Sequence, residues 1–152
     1  MTAYRERLVP GTGTVFACLV LAPLALLVLL PITLVGAVIA AIAVPGAAIA
    51  ALIAGAPVIR IADGELHAGR AHIDVALTGE AEPFRAEAAT AARGVELDAR
   101  AWTVVRGWVD PVVRIRIVDP DDPVPYWLVS TRHPEALVEA LHEARLAATR
   151  GR

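Results

Sequence analysis

The sequence predicts a membrane α-helical hairpin joined to a small, mainly-β (α+β) cytoplasmic domain, an antiparallel barrel or sandwich closed by a C-terminal helix. Three observations carry that prediction. From Leu8 to Ile59 no side chain is charged, and Arg7 and Arg60 stand on either side. After Pro57 the continuous apolar sequence gives way to short alternating runs punctuated by Gly, Pro and Asp. After Pro134 the apolar period lengthens to that of a helix, with Leu137, Leu141, Ala144 and Ala148 on one stripe.

The uncharged stretch sets the organisation. As a helix rising about 1.5 Å per residue it would be about 78 Å long, against a hydrocarbon core of about 30 Å, so two crossings fit better than one. Residues 14–56 are therefore read as a two-helix hairpin. The first crossing is predicted over Thr14–Leu30 and ended by Pro31; the second runs from Ile32 to Gly55 and is predicted to kink at Pro45-Gly46. Gly36, Ala40, Ala43 and Ala47 recur at three or four residues and predict a small-residue face on which the two helices pack.

Residues 1–13 are read as an interface segment, because Tyr4 offers an amphipathic ring and Arg5 and Arg7 face an anionic leaflet. Arg60 and Arg70 follow the second crossing. Arginine on both flanks predicts a multi-pass protein of the plasma membrane with both termini cytoplasmic. A cleaved signal peptide is not indicated, since its apolar region spans only about 7–15 residues.

Residues 57–152 are long enough for one small domain. Val58–Ala62 and Glu65–Ala68 flank Asp63-Gly64, the dipeptide of a tight hairpin turn. Ala71–Leu77 alternates with Ile73 and Val75 on one face and His72 and Asp74 on the other. Glu80–Arg85 is a weaker strand that Pro83 assigns to a sheet edge. Ala86–Arg93 favours helix up to Gly94, and residues 98–101 a further helical turn. Ala101–Val105, Val112–Val118 and Tyr126–Ser130 are the remaining strands, and residues 134–149 the closing helix, with Pro134 at its first position and Glu135 in its first turn. Seven strands and a closing helix have the outline of a pleckstrin-homology-like domain, a likeness of fold and not of activity.

Composition narrows the partners. The net charge is −2, and after the apolar stretch twelve arginines face fifteen acids, which argues against a nucleic-acid-binding face. The chain has no Lys, Asn or Gln, a bias expected of a GC-rich genome. The one cysteine, Cys18, lies in the apolar stretch, so neither an internal disulfide nor a thiolate metal cluster is expected.

Few constellations suggest chemistry. His67, His72 and Asp74 lack metal-ligand spacing, and Asp119, Asp121 and Asp122 lack the glycine and terminal glutamate of a calcium loop, so no metal or cofactor is expected. Ser130 and His133 are close in sequence without a nucleophile elbow around the serine. The candidate binding residues are aromatic and arginine: Trp108, Arg114, Arg116, Tyr126, Trp127 and Arg132, beside Trp102 and Arg106. Strand alternation places Tyr126 and Trp127 on opposite faces, so at most one of them belongs to the core.

Tyr-Arg-Glu-Arg-Leu at 4–8, Ala-Asp-Gly-Glu-Leu at 62–66, Arg106-Gly107-Trp108-Val109 and the block from Asp119 to Pro134 resemble an actinobacterial membrane-protein family, domain of unknown function 3093. The resemblance implies two membrane helices, a cytoplasmic domain and an actinobacterial source; it implies no catalytic residues. This chain has Gly11–Thr14 where the family carries tryptophans and Gly107 where it carries proline. The function expected is that of a membrane-proximal interaction module for a protein or an anionic lipid headgroup, without enzymatic activity. Two alternatives stand beside it: an accessory subunit or assembly factor of a membrane complex that uses the Gly36/Ala40/Ala43/Ala47 face, and a membrane-surface enzyme that uses Ser130 and His133.

Overall fold

The computed structural model describes residues 2–150. In chain order its elements are β1 (Thr2–Arg7), α1 (Thr12–Leu19), α2 (Leu21–Leu29), α3 (Leu34–Ala54), β2 (Val58–Ala62), β3 (Glu65–Ala68), β4 (Ala71–Asp74), a 3-10 turn (Val75–Leu77), β5 (Thr78–Phe84), α4 (Ala86–Arg93), β6 (Trp102–Val104), β7 (Val112–Ile117), β8 (Tyr126–Ser130) and α5 (Pro134–Arg150). They form two compact units, a helical one over Val9–Ala56 and a second one made of the rest.

In the helical unit, Thr12–Leu29 and Leu34–Ala54 are two segments long and apolar enough to cross a membrane, with mean hydropathy 2.4 and 2.5. The first is broken once, at Val20, which sequence inspection had not predicted. Pro23 explains the break: it has no N–H to donate to the Leu19 carbonyl four residues back, and its ring crowds that carbonyl. Val20 keeps helical dihedrals (φ −62°, ψ −20°), so the chain continues in the same sense. Pro45, by contrast, lies inside α3 without ending it.

The predicted small-residue face needs correction. Gly36 and Ala40 are half-buried, but Ala43 and Ala47 are exposed, and the packed stripe of α3 runs instead through Ala37, Ala41, Pro45 and Ala48. The packed stripe thus borders the predicted one, one or two residues further along the helix. Gly36 serves its own helix start: a Cβ there would lie 2.6 Å from the Thr33 methyl group.

The second unit holds two four-stranded sheets, ordered β1-β2-β3-β4 and β5-β7-β8-β6. The first is antiparallel throughout, and the hairpin at Asp63-Gly64 has φ of 54° and 81°, the left-handed pair that a two-residue turn of this type requires. In the second sheet β6 runs parallel to β8, against the antiparallel expectation. β5 occupies an edge, where Pro83 removes no ladder donor.

Ile59, Ile61, Leu66 and Ile73 from the first sheet, Val113, Ile115, Trp127 and Val129 from the second, and Leu137 and Leu141 from α5 share one core. Burying each large aliphatic side chain contributes about 1.5–3 kcal/mol. A smaller cluster sets Ala89 and Ala92 of α4 on Val112 and Leu128, on the opposite face of the second sheet.

Two further expectations fail locally. Residues 75–77 turn instead of extending the strand, because the Asp74 carboxylate accepts the Ala76 N–H at 2.8 Å and the Thr78 hydroxyl donates to the Val75 carbonyl at 2.6 Å. Residues 98–101 form a turn without helix. The largest correction concerns Thr2–Arg7. It is an eighth strand, paired with β2, where an independent interface segment was expected.

Candidate functional site

Strand alternation in the second sheet sends Ile115 and Trp127 inward and Arg114, Arg116 and Tyr126 outward. Arg114 stands opposite Glu82 on β5, and Arg116 opposite Tyr126 on β8. These residues, with Glu80 and Pro125, line an open groove of about 350 Å³. Its two carboxylates and two guanidiniums balance, so it suits a zwitterionic or peptide-like ligand better than a simple ion.

Arg114 is the structural centre of the groove. Its guanidinium carbon lies 4.8 Å from the Phe84 ring centroid and 5.1 Å from that of Tyr126, and its Nη2 pairs with Glu96 at 3.3 Å. Stacking on two rings keeps a planar cation at low desolvation cost. Its Nε is buried without a hydrogen-bond partner. The Tyr126 hydroxyl accepts the Asp98 N–H at 2.7 Å and donates to the Glu96 carbonyl at 3.3 Å, which pins the chain after α4 against the groove.

The other predicted residues lie elsewhere. Trp127 is 4% exposed and belongs to the core. The Trp108 indole N–H donates to the Leu8 carbonyl at 3.1 Å, tying the loop before β7 to the end of β1. The Arg132 N–H donates to Glu6 Oε1 at 3.0 Å. The six residues thus occupy four places, and only Arg114, Arg116 and Tyr126 come together. Trp102 is exposed on the edge strand β6, and the Arg106 N–H donates to Ser130 Oγ.

Sequence reading missed a polar network around Glu6. Its carboxylate accepts from the Tyr4 hydroxyl at 2.7 Å, from the Thr131 hydroxyl at 2.5 Å and from the Arg132 N–H. Thr131 also accepts the His133 N–H at 3.1 Å, which links β1 to the start of α5. Burial raises the Tyr4 hydroxyl well above the usual tyrosine range, with Glu6 adding to the shift and the Thr131 hydrogen bond opposing it. The alternation Tyr-Arg-Glu-Arg was the available signal.

No nucleophile–base pair forms at Ser130 and His133. Ser130 is fully buried with its Oγ between the Arg106 N–H (3.1 Å) and the Val109 carbonyl (3.5 Å), whereas the His133 side chain is exposed. Asp119 and Asp122 accept main-chain N–H groups two residues ahead, as turn residues do. Among the described residues no group of three or more His, Cys, Asp or Glu side chains could hold a metal ion.

Residues 3–141 match the family described as protein of unknown function, DUF3093. The chain belongs to this family. No curated protein and no solved structure gives a significant match to this DUF3093 chain. The match takes in both apolar segments, both sheets and the first half of α5, so the groove and the Glu6 network lie wholly inside it.

Proposed function

We propose that this DUF3093 protein is anchored in the plasma membrane by two crossings, with both termini cytoplasmic, and that its β unit is a membrane-proximal interaction module rather than an enzyme. The pairing of β1 with β2 carries the reading. Arg7 and Val58 are register partners in one antiparallel sheet, yet the whole of Val9–Ala56 lies between them in sequence. A segment whose two flanks share a sheet must return to the side it left, so it crosses an even number of times. Its side chains ask for lipid: Leu27, Ile32 and Ile42 are 75%, 76% and 72% exposed, more apolar surface than water tolerates on one small unit. Arginine on both flanks favours the cytoplasmic side.

The groove at Arg114, Arg116 and Tyr126 supports the module reading, and the buried, main-chain-bonded Ser130 supports a non-enzymatic one. Two sheets and a C-terminal helix around one core keep the pleckstrin-homology-like outline as a working analogy, and the absence of lysine favours an actinobacterial source. The test is a pair of reporter fusions, green fluorescent protein or alkaline phosphatase, at each end of the full chain. Fluorescence at both ends with no phosphatase activity at either is expected; phosphatase activity at one end alone would overturn the two-crossing topology.

The accessory-subunit reading is favoured by one observation, the exposure of Ala43, Gly46 and Ala47 along α3. Small residues facing lipid allow a foreign helix to approach closely. Photo-cross-linking from position 43 in native membranes should then capture a second polypeptide, and Ala47→Leu should abolish the adduct.

A further inference from the structure

The outer face of the first sheet carries an ordered row of bases. Arg5 of β1 stands opposite Arg60 of β2, Arg60 opposite His67 of β3, and His67 opposite His72 of β4, one residue from each strand in a single line. Arg5, Arg60 and His72 are exposed and His67 is half-buried. Like charges directly opposite on neighbouring strands are destabilising, so Arg5 facing Arg60 costs stability in the free domain. Among the described residues no carboxylate forms an ion pair with either arginine. Arg60 Nη2 lies 3.4 Å from His67 Nε2, and that histidine nitrogen lies 3.1 Å from a Glu65 carboxylate oxygen. The His67 and His72 rings stack with centroids 5.7 Å apart.

The face is polarised along its strands. Arg7 lies toward the end of the sheet where β1 leads into residue 9 and β2 begins, with Arg70 in the turn at that end. The acids lie the other way: Glu65 faces Asp74, next to the hairpin that holds Asp63. Arg5, Val58, Arg60, His67 and Gly69 line an open depression of about 370 Å³ on the basic side. Three residues separate Ala54 from Val58 and four separate Arg7 from Thr12, so the basic end is the end tethered to the apolar helices.

We propose that this row is a binding surface for anionic phospholipid headgroups of the membrane that holds the helices. The proposal rests on the two-crossing reading above and names the partner of a face that reading leaves unassigned. Two opposed guanidiniums can share one phosphate through several N–H donors, which relieves their mutual repulsion. Each arginine near an anionic surface adds about fivefold to the affinity. The groove at Arg114 and Arg116, where carboxylates offset the cations, takes no part.

The experiment is native mass spectrometry of the full chain released from nanodiscs of phosphatidylcholine and phosphatidylglycerol in equal amounts. The expected result is several-fold preferential retention of phosphatidylglycerol, lost in Arg5→Gln/Arg60→Gln and kept in Arg5→Lys/Arg60→Lys and in Arg114→Gln/Arg116→Gln. An unchanged preference in Arg5→Gln/Arg60→Gln, or its loss in Arg114→Gln/Arg116→Gln, overturns the proposal. So does displacement of the lipid by inorganic phosphate at millimolar concentration, which would mark a small-anion site. Circular dichroism of each variant confirms folding, and the lysine pair separates loss of charge from loss of shape. Failure of the membrane reading is seen separately: the wild-type chain would then fractionate with the cytosol without detergent.

Discussion

The hydroxyls of Tyr4 and Thr131 lie 2.9 Å apart, joining residues 127 positions apart in sequence, and both hydrogen-bond to the Glu6 carboxylate. Glu6 is 10% exposed at its side chain and receives three donors. Glu6→Ala leaves those donors without their acceptor and should cost about 3 kcal/mol, whereas Tyr4→Phe should cost about 1 kcal/mol. Chemical denaturation of detergent-solubilised protein measures both; a loss below that of Tyr4→Phe for Glu6→Ala would refute the ranking.

The same network sets an alkaline limit. Burial raises the Tyr4 hydroxyl in the folded state, so its contribution to stability is whole below the unfolded-state value of about 10 and is lost as pH rises beyond it. The wild-type melting temperature should fall more steeply than that of Tyr4→Phe between about pH 9.5 and 11. Parallel slopes would contradict the assignment.

Ala86 has φ of 50° without being glycine, and its N–H donates to Asp110 Oδ2 at 2.9 Å while Arg93 pairs with Asp110 Oδ1 at 2.9 Å. Relief of that backbone strain in Ala86→Gly outweighs the added flexibility of the unfolded chain and should stabilise by about 0.5–1 kcal/mol. Differential scanning calorimetry would register the rise.

Hydrogen bonds from Ala86 and Arg93 lower the Asp110 carboxyl, which gives a stabilisation present above the ordinary carboxylate range and lost as pH falls through the lowered value. Asp110→Asn should therefore remove the acid-dependent part of α4 stability. Limited proteolysis near residue 86 should be faster in Asp110→Asn than in wild type at about pH 7, and the difference should shrink as pH falls below the ordinary carboxylate range.

Tyr126→Phe removes the anchor of Asp98 and Glu96 while keeping the ring beneath Arg114. About 1–2 kcal/mol should be lost, with faster amide exchange confined to residues 94–100. Trp127→Ala, one residue on but in the core, should cost about 3–5 kcal/mol and unfold the unit globally.

What the sequence revealed was local. Tyr126–Ser130 and Ala86–Arg93 could be read to the residue, because alternation and alanine propensity act within a few positions. β1 was hidden: its partner comes after the entire apolar stretch, and its alternating charges read equally well as a membrane flank. The parallel pairing of β6 with β8 is hidden for a different reason: β6 is only three residues long, and β7 lies between the two in sequence. At the site, alternation correctly separated Tyr126 from Trp127. The dispersal of Trp108 and Arg132 was beyond it, since their partners Leu8 and Glu6 are 100 and 126 residues away in sequence.

The antiparallel pairing of Thr2–Arg7 with Val58–Ala62 also imposes an order on biosynthesis. The first strand leaves the ribosome long before its partner exists, and the core that holds Leu8 and Ile59 cannot close until both apolar segments have emerged. Until then Thr2–Arg7 has no partner strand and presents unpaired main-chain groups to other chains. Completion of the sheet therefore waits on everything between its first two strands: the domain closes only once Val58–Ala62 has come back beside Thr2–Arg7.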